Sequence, residues 1–188
     1  FSGTEVARDF VETPSQLFEN WLWDREMLRS SARHYKTGEA LPDAIIDRLL
    51  SVRTLASGLK AEFQLYYALL DMTYHTDPDG AVDTTAVAER LHDEVVLCRR
   101  TPGTIFQAGF NHLIGYQACY YSYMWALVYA QDVFTRFREA GLLDRGVGME
   151  LRRKILAPGG SREEMDMLLD FLGREPKTDA FLEHLGLK

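Results

Sequence analysis

Hydrophobic periodicity of helical type runs through most of this chain. Apolar residues recur at three- and four-residue intervals through stretches such as "DAIIDRLL" and "REEMDMLLDFLG". No stretch sustains period-two alternation rich in Val, Ile and Thr. The pattern predicts an essentially all-α protein. Turn formers set its boundaries: Pro14 and Ser15, "KTGEALPDA", "TDPDGAVD" and "APGGS". Helices are expected over about 4–13, then on to about His34, over 43–55, 59–76 and 84–98, then 116–140, 147–156, a segment capped by Ser161, and 177–185. Asp83 or Thr84 can cap the fifth of these, and Ser161 with Glu164 forms a capping box. "RTPGTIFQAGFNHLIG", 100–115, lacks periodicity and reads as a long irregular loop, a kind of segment that often carries function. At 188 residues the chain suits a single domain, 1–188, or one lobe of something larger. Its first residue, Phe rather than Met, points to a fragment or a processed product.

Charge and composition exclude several classes of function. A net charge of −7 and the absence of any run of Lys and Arg argue against a nucleic-acid surface. No apolar run approaches the roughly 20 residues that span a bilayer, so no membrane partner is expected. Cys98 and Cys119 form neither a disulfide framework nor a metal pattern, and both read as reduced, buried thiols. That suits the cytoplasm, with the mitochondrial matrix as the alternative. The Trp21 and Trp23 pair reads as core. His34, His75, His92 and His184 show no partner pattern and read as structural or exposed.

One stretch is unusual. "HLIGYQACYYSY", 112–123, holds one histidine and four tyrosines. On a helix Tyr116, Tyr120 and Tyr123 fall at i, i+4 and i+7 on one face, with Tyr121 pointing elsewhere. Such a stripe is either core, each ring burying its carbon body while its oxygen finds a carbonyl, or a row of proton donors facing a polar cleft. His112, in the loop just before it, is either structural or a platform that binds peptide carbonyls and carboxylates together with the phenols. At the other end, "RDFVETPS" sets Asp9 and Glu12 at i and i+3 on one helical face. The pair is either a solvated acidic face or a metal ligand with a supporting carboxylate. Zinc requires roughly three or four donors, and neither HxxxH nor CxxC occurs in the chain.

Taken together, "FSGTEVARDFVETPSQLFENW", "TPGTIFQAGFNHLIGYQACYYSYMWALVYAQDVFTRF" and "GMELRRKILAPGGSREEMDMLLDFLGREPKTDAFL" resemble the C-terminal part of the thimet oligopeptidase and neurolysin family of zinc metallopeptidases. The resemblance implies a multi-helix lobe of a larger, mostly helical zincin-type catalytic domain that hydrolyses short peptides. It implies that Glu12 is the third zinc ligand, that Asp9 orients a zinc-bound histidine, that Tyr120 and Tyr123 stabilise the oxyanion, and that His112 and Tyr116 bind substrate. The two zinc histidines and the general-base glutamate lie in that family on an HExxH helix upstream of the residue matching Phe1. They are therefore expected from outside this chain, in the N-terminal remainder of the peptidase, and the 188 residues alone are expected to be inactive. The family reads HLxGGY where this chain has "HLIGY", one residue shorter, which stiffens the loop and shifts His112 relative to Tyr116. That departure motivates the other reading, a structural or interaction module derived from a split or degenerate peptidase.

Overall fold

The computed structural model describes residues 3–188. The expected all-α class holds: among the described residues there is no strand, only an isolated antiparallel bridge between Arg33 and Ala40. The helices are α1 (Thr13–Glu19), α2 (Arg25–Ser31), α3 (Asp43–Ser51), α4 (Ser57–Thr76) and α5 (Thr84–Val95). After these come α6 (His112–Gly115), α7 (Ser122–Ala140), α8 (Arg145–Leu151), α9 (Glu164–Leu172) and α10 (Asp179–Leu185). The chain divides into two compact units, Phe1–Leu55 with Ala126–Lys188, and Ala56–Trp125.

The first unit gathers its core from the apolar faces of α1, α7, α8 and α9, with Leu17, Val133, Phe134, Phe137, Leu151, Met167 and Phe171 buried together. Trp21 packs its ring edge-on against Phe134 and Phe137 and donates its indole N–H to the Leu142 carbonyl at 2.9 Å. The segment between Pro14 and His34 is not one helix. Asp24 adopts an extended conformation and its carboxylate accepts the Met27 N–H at 2.9 Å, so it caps α2 and separates it from a 3₁₀ turn over Asn20–Trp23. Likewise α8 runs into a π turn, Arg152–Leu156, before "APGGS" ends it.

Two expectations near the N-terminus are corrected. Residues 4–12 form consecutive turns rather than a helix, and α1 begins only at Thr13, with Pro14 in its first turn. The Ser161–Glu164 capping box does not form. Glu163 is the residue flanking α9, and the Glu164 carboxylate instead accepts the Ala7 N–H at 2.7 Å. The N-terminal segment lies against the start of α9, where Ala7 takes the carboxylate that the capping box would have used. Gly160 permits this approach: a Cβ there would stand 1.9 Å from the Glu5 carbonyl oxygen.

In the second unit α4 packs on α5 around Tyr66, Leu70, Ala88, Leu91 and Val96. Asp83 caps α5 as expected, accepting the N–H groups of Thr85 and Ala86. The thiols differ from expectation. Both are free, but Cys98 is exposed and Cys119 only half-buried, since α5 ends at Val95 and leaves Cys98 in the connection beyond it.

Candidate functional site

The stretch 100–123 is more ordered at its start and less helical at its end than its sequence suggests. A 3₁₀ turn over Phe106–Gly109 and the single turn of α6 interrupt the expected loop. Phe106 stacks on Tyr67 of α4 with ring centroids 5.2 Å apart, and Phe110 lies 5.1 Å from Tyr67 and 5.2 Å from Tyr120. These apolar rings anchor the segment that delivers His112.

The expected tyrosine helix from 116 starts only at Ser122. Residues 116–121 make turns, and Ala118 sits in the left-handed region at φ 55°, where a residue with a Cβ is strained and a right-handed helix cannot continue. Asp71 accounts for this. Its side chain, 1% exposed, points from α4 with Oδ1 accepting the Ala118 N–H at 3.0 Å and Oδ2 accepting the Tyr120 N–H at 2.8 Å. Two backbone donors that a helix would pair with its own carbonyls go to a buried carboxylate. His75, one turn further along α4, brings Nδ1 to 2.9 Å from Asp71 Oδ1 and 2.8 Å from the Asp71 carbonyl.

The turn still assembles the expected residues. His112 Nε2 lies 3.2 Å from the Tyr123 hydroxyl. The His112 ring stands 5.8 Å from Tyr116, 5.1 Å from Tyr120 and 5.7 Å from Tyr123, and Tyr116 stacks on Tyr123 at 5.7 Å. Tyr121, as the spacing implied, points away, 38% exposed beside Trp125. Tyr120 is the covered member at 7% exposure, whereas Tyr116, Tyr123 and His112 are half-buried. Burial pushes the Tyr120 phenol above its ordinary value, with the neighbouring Gln64 hydrogen bond opposing the shift. It is thus a protonated donor across the neutral range. Burial raises Tyr66 and Tyr67 in the same way.

In the first unit Asp9 and Glu12 are half-buried and lie on the consecutive turns before α1 rather than on one helical face. Glu12 flanks α1, and Ser15 Oγ stands 3.0 Å from its Oε2 and 2.9 Å from its carbonyl oxygen. Among the described residues no three His, Cys, Asp or Glu side chains are grouped so as to hold a metal ion. No helix among them is long and apolar enough to cross a membrane. The structure thus brings His112, Tyr116, Tyr120 and Tyr123 together in the second unit, and sets Asp9 beside Glu12 along one turn segment of the first.

Asp71 and His75 were not among the residues expected at the site. The signal was present: in "YYALLDMTYH" an aspartate falls one turn after Tyr67 on the apolar face of α4, with a histidine one turn further on.

Comparison with known proteins agrees with the resemblance read from "RDFVE" and "HLIGYQACYYSY". The chain is 39% identical over 187 residues to oligopeptidase A of Escherichia coli, an overlap covering 97% of this chain and 28% of that protein. It is 36% identical over 191 residues to the thimet-like oligopeptidase of Dictyostelium discoideum, covering 100% of this chain and 28% of the relative. It is 38% identical over 190 residues to the organellar oligopeptidase A, chloroplastic/mitochondrial, of Arabidopsis thaliana, covering 97% and 24%. The chain therefore spans about a quarter of the length of these relatives. The model of peptidase family M3 matches residues 1–187, and with the relatives it shows that this chain belongs to peptidase family M3.

Proposed function

We propose that the chain is part of a zinc-dependent oligoendopeptidase acting on short peptides, to which it contributes one metal ligand and the phenol-rich substrate site. The observation that carries this reading is the cluster of His112, Tyr116, Tyr120 and Tyr123, in which the His112 and Tyr123 rings each lie 5.0–5.8 Å from the other members around a braced turn. A purely structural stripe has no need of a half-buried imidazole hydrogen-bonded to a half-buried phenol. Peptidases are also what the three relatives are named as.

The carboxylate of Glu12 fits a zinc ligand: it is half-buried, and Ser15 steadies one of its oxygens. Asp9, in the same turn segment, accepts in this reading from the imidazole of a zinc histidine. Among the described residues no group of donors completes a site, and in this reading the two histidines come from an HExxH segment of the longer protein. Zinc, when bound, polarises the scissile carbonyl and lowers the pKa of a water. His112 and Tyr116 bind and orient the peptide. Tyr120 and Tyr123 present phenolic O–H groups to the oxygen on which negative charge develops, and one such donor is worth roughly 3–4 kcal/mol in a preorganised site. The free thiols suit a reducing compartment, so we place the enzyme in the cytoplasm, with the mitochondrial matrix as the alternative.

The test is reconstitution. The 188 residues alone should leave a fluorogenic peptide intact, and the same residues joined to a segment carrying HExxH should cleave it in a chelator-sensitive way. A joined protein that binds zinc yet never cleaves peptides would overturn the enzymatic reading in favour of a non-catalytic module.

A further inference from the structure

We propose that Asp71, steadied by His75, is a positioning residue for the phenol cluster: its buried carboxylate sets the turn at Ala118–Tyr120 and so where the Tyr120 and Tyr123 hydroxyls stand. The inference rests on the reading of that cluster as the peptide site.

Asp71 is 1% exposed on a helix face that otherwise buries apolar residues such as Leu70. A carboxylate in that position is tolerated only where its oxygens are satisfied, and here three N–H donors converge on it: Ala118 N at 3.0 Å, Tyr120 N at 2.8 Å and His75 Nδ1 at 2.9 Å. Because Nδ1 also faces the Asp71 carbonyl at 2.8 Å, it is surrounded by acceptors and carries the proton. The two amides belong to the turn that holds the functional rings. Ala118 stays left-handed at φ 55°, a strain that persists only where surrounding contacts over-determine it. The Tyr120 amide lies at the root of one phenol. From there the Tyr120 carbonyl accepts the Tyr123 N–H at 3.3 Å, which passes the constraint to the second phenol, whose hydroxyl meets His112.

A residue that merely supported the fold would lower the melting temperature and leave kcat per folded molecule unchanged. A positioning residue changes kcat. The experiment uses the full-length, zinc-loaded protein with a fluorogenic peptide, and reads kcat, KM, zinc content and the near-ultraviolet circular dichroism of the tyrosines. Asp71→Asn keeps the size but turns a donor toward a backbone N–H. It should lower kcat about 10- to 100-fold, as misplacement of reacting groups by an ångström does, with KM and zinc content little changed and the tyrosine dichroism altered. His75→Leu should lower kcat in the same direction. His75→Asn, whose amide nitrogen can take the place of Nδ1, should recover most of that loss.

Wild-type kcat in folded Asp71→Asn overturns the proposal, as does equal behaviour of His75→Leu and His75→Asn. If Asp71→Asn does not fold, the His75 pair decides alone. Tyr123→Phe separates the two levels. If it lowers kcat while Asp71→Asn does not, only the positioning role fails; if it leaves kcat intact, the reading of the cluster as the peptide site fails.

Discussion

Replacing Gly160 by alanine should displace the segment that carries Asp9 and Glu12. The new methyl would stand 1.9 Å from the Glu5 carbonyl oxygen, a backbone atom that cannot rotate away, so the chain must retreat by more than an ångström. Overpacking of this kind costs about 1–3 kcal/mol. The retreat also pulls on the Ala7 N–H bond to Glu164, 2.7 Å long. It pulls as well on Phe10, which is 3% exposed in the core and whose full burial is worth about 1.5–3 kcal/mol. Since the exposed hydrogen bond adds little and only part of Phe10 is uncovered, the expected loss is about 2–4 kcal/mol. On the proposed role of Glu12, the zinc affinity of the full-length protein should fall about 10- to 100-fold, the range seen when a ligand's support is lost. Urea unfolding and competition with a chromophoric chelator read the two effects. Gly58→Ala is the control, because nothing lies within 4 Å of its added Cβ and it sits in the first turn of α4; it should stabilise by about 0.5–1 kcal/mol. A Gly160→Ala protein as stable as the parent, with unchanged zinc affinity, would show that the Glu5–Gly160 contact does not position this segment.

Asp132 is 2% exposed and takes both Arg174 nitrogens, at 2.6 and 2.7 Å, together with the Lys177 N–H at 2.8 Å. Asp132→Ala should cost about 3 kcal/mol in chemical denaturation, the low end for a broken buried pair, because Arg174 is partly solvated and can rehydrate. At alkaline pH the tyrosines of the second unit matter. Burial raises Tyr66, Tyr67 and Tyr120, and pushes Tyr74 up to about 12. The folded state therefore holds these protons more tightly than the unfolded chain does. Their contribution to stability is complete below the ordinary tyrosine value of about 10 and is lost as pH rises from there toward about 12. Phenolate absorbance should develop together with the loss of helical circular dichroism; full ionisation of all nine tyrosines before any unfolding would contradict this.

What the sequence made legible was what local pattern determines. The helical class, α4, the Asp83 cap of α5 and the residues of the phenol cluster could all be read from periodicity, capping chemistry and resemblance. Where expectation and structure part, a distant side chain takes the backbone groups that local rules assign to a helix. Tyr116 and Tyr120 sit on turns because a carboxylate 47 and 49 residues earlier in the chain accepts two of their segment's N–H groups. Residues 4–12 are turns that meet Glu164, 157 residues away from Ala7, and lie against the bare Cα of Gly160. Periodicity carries no information about such partners. The break at Asp24 is different, because an N-capping residue before "REM" was a local signal that the length of the apolar pattern concealed.

In the proposed reaction the phenols act on the reacting carbonyl. The decisive measurement is the kcat of Tyr123→Phe in the full-length, zinc-loaded protein, a change that removes one hydroxyl while keeping the ring that stacks on Tyr116. The expected result is a fall of about 10²- to 10³-fold in kcat with zinc content unchanged, and a kcat equal to that of the parent would contradict the claim.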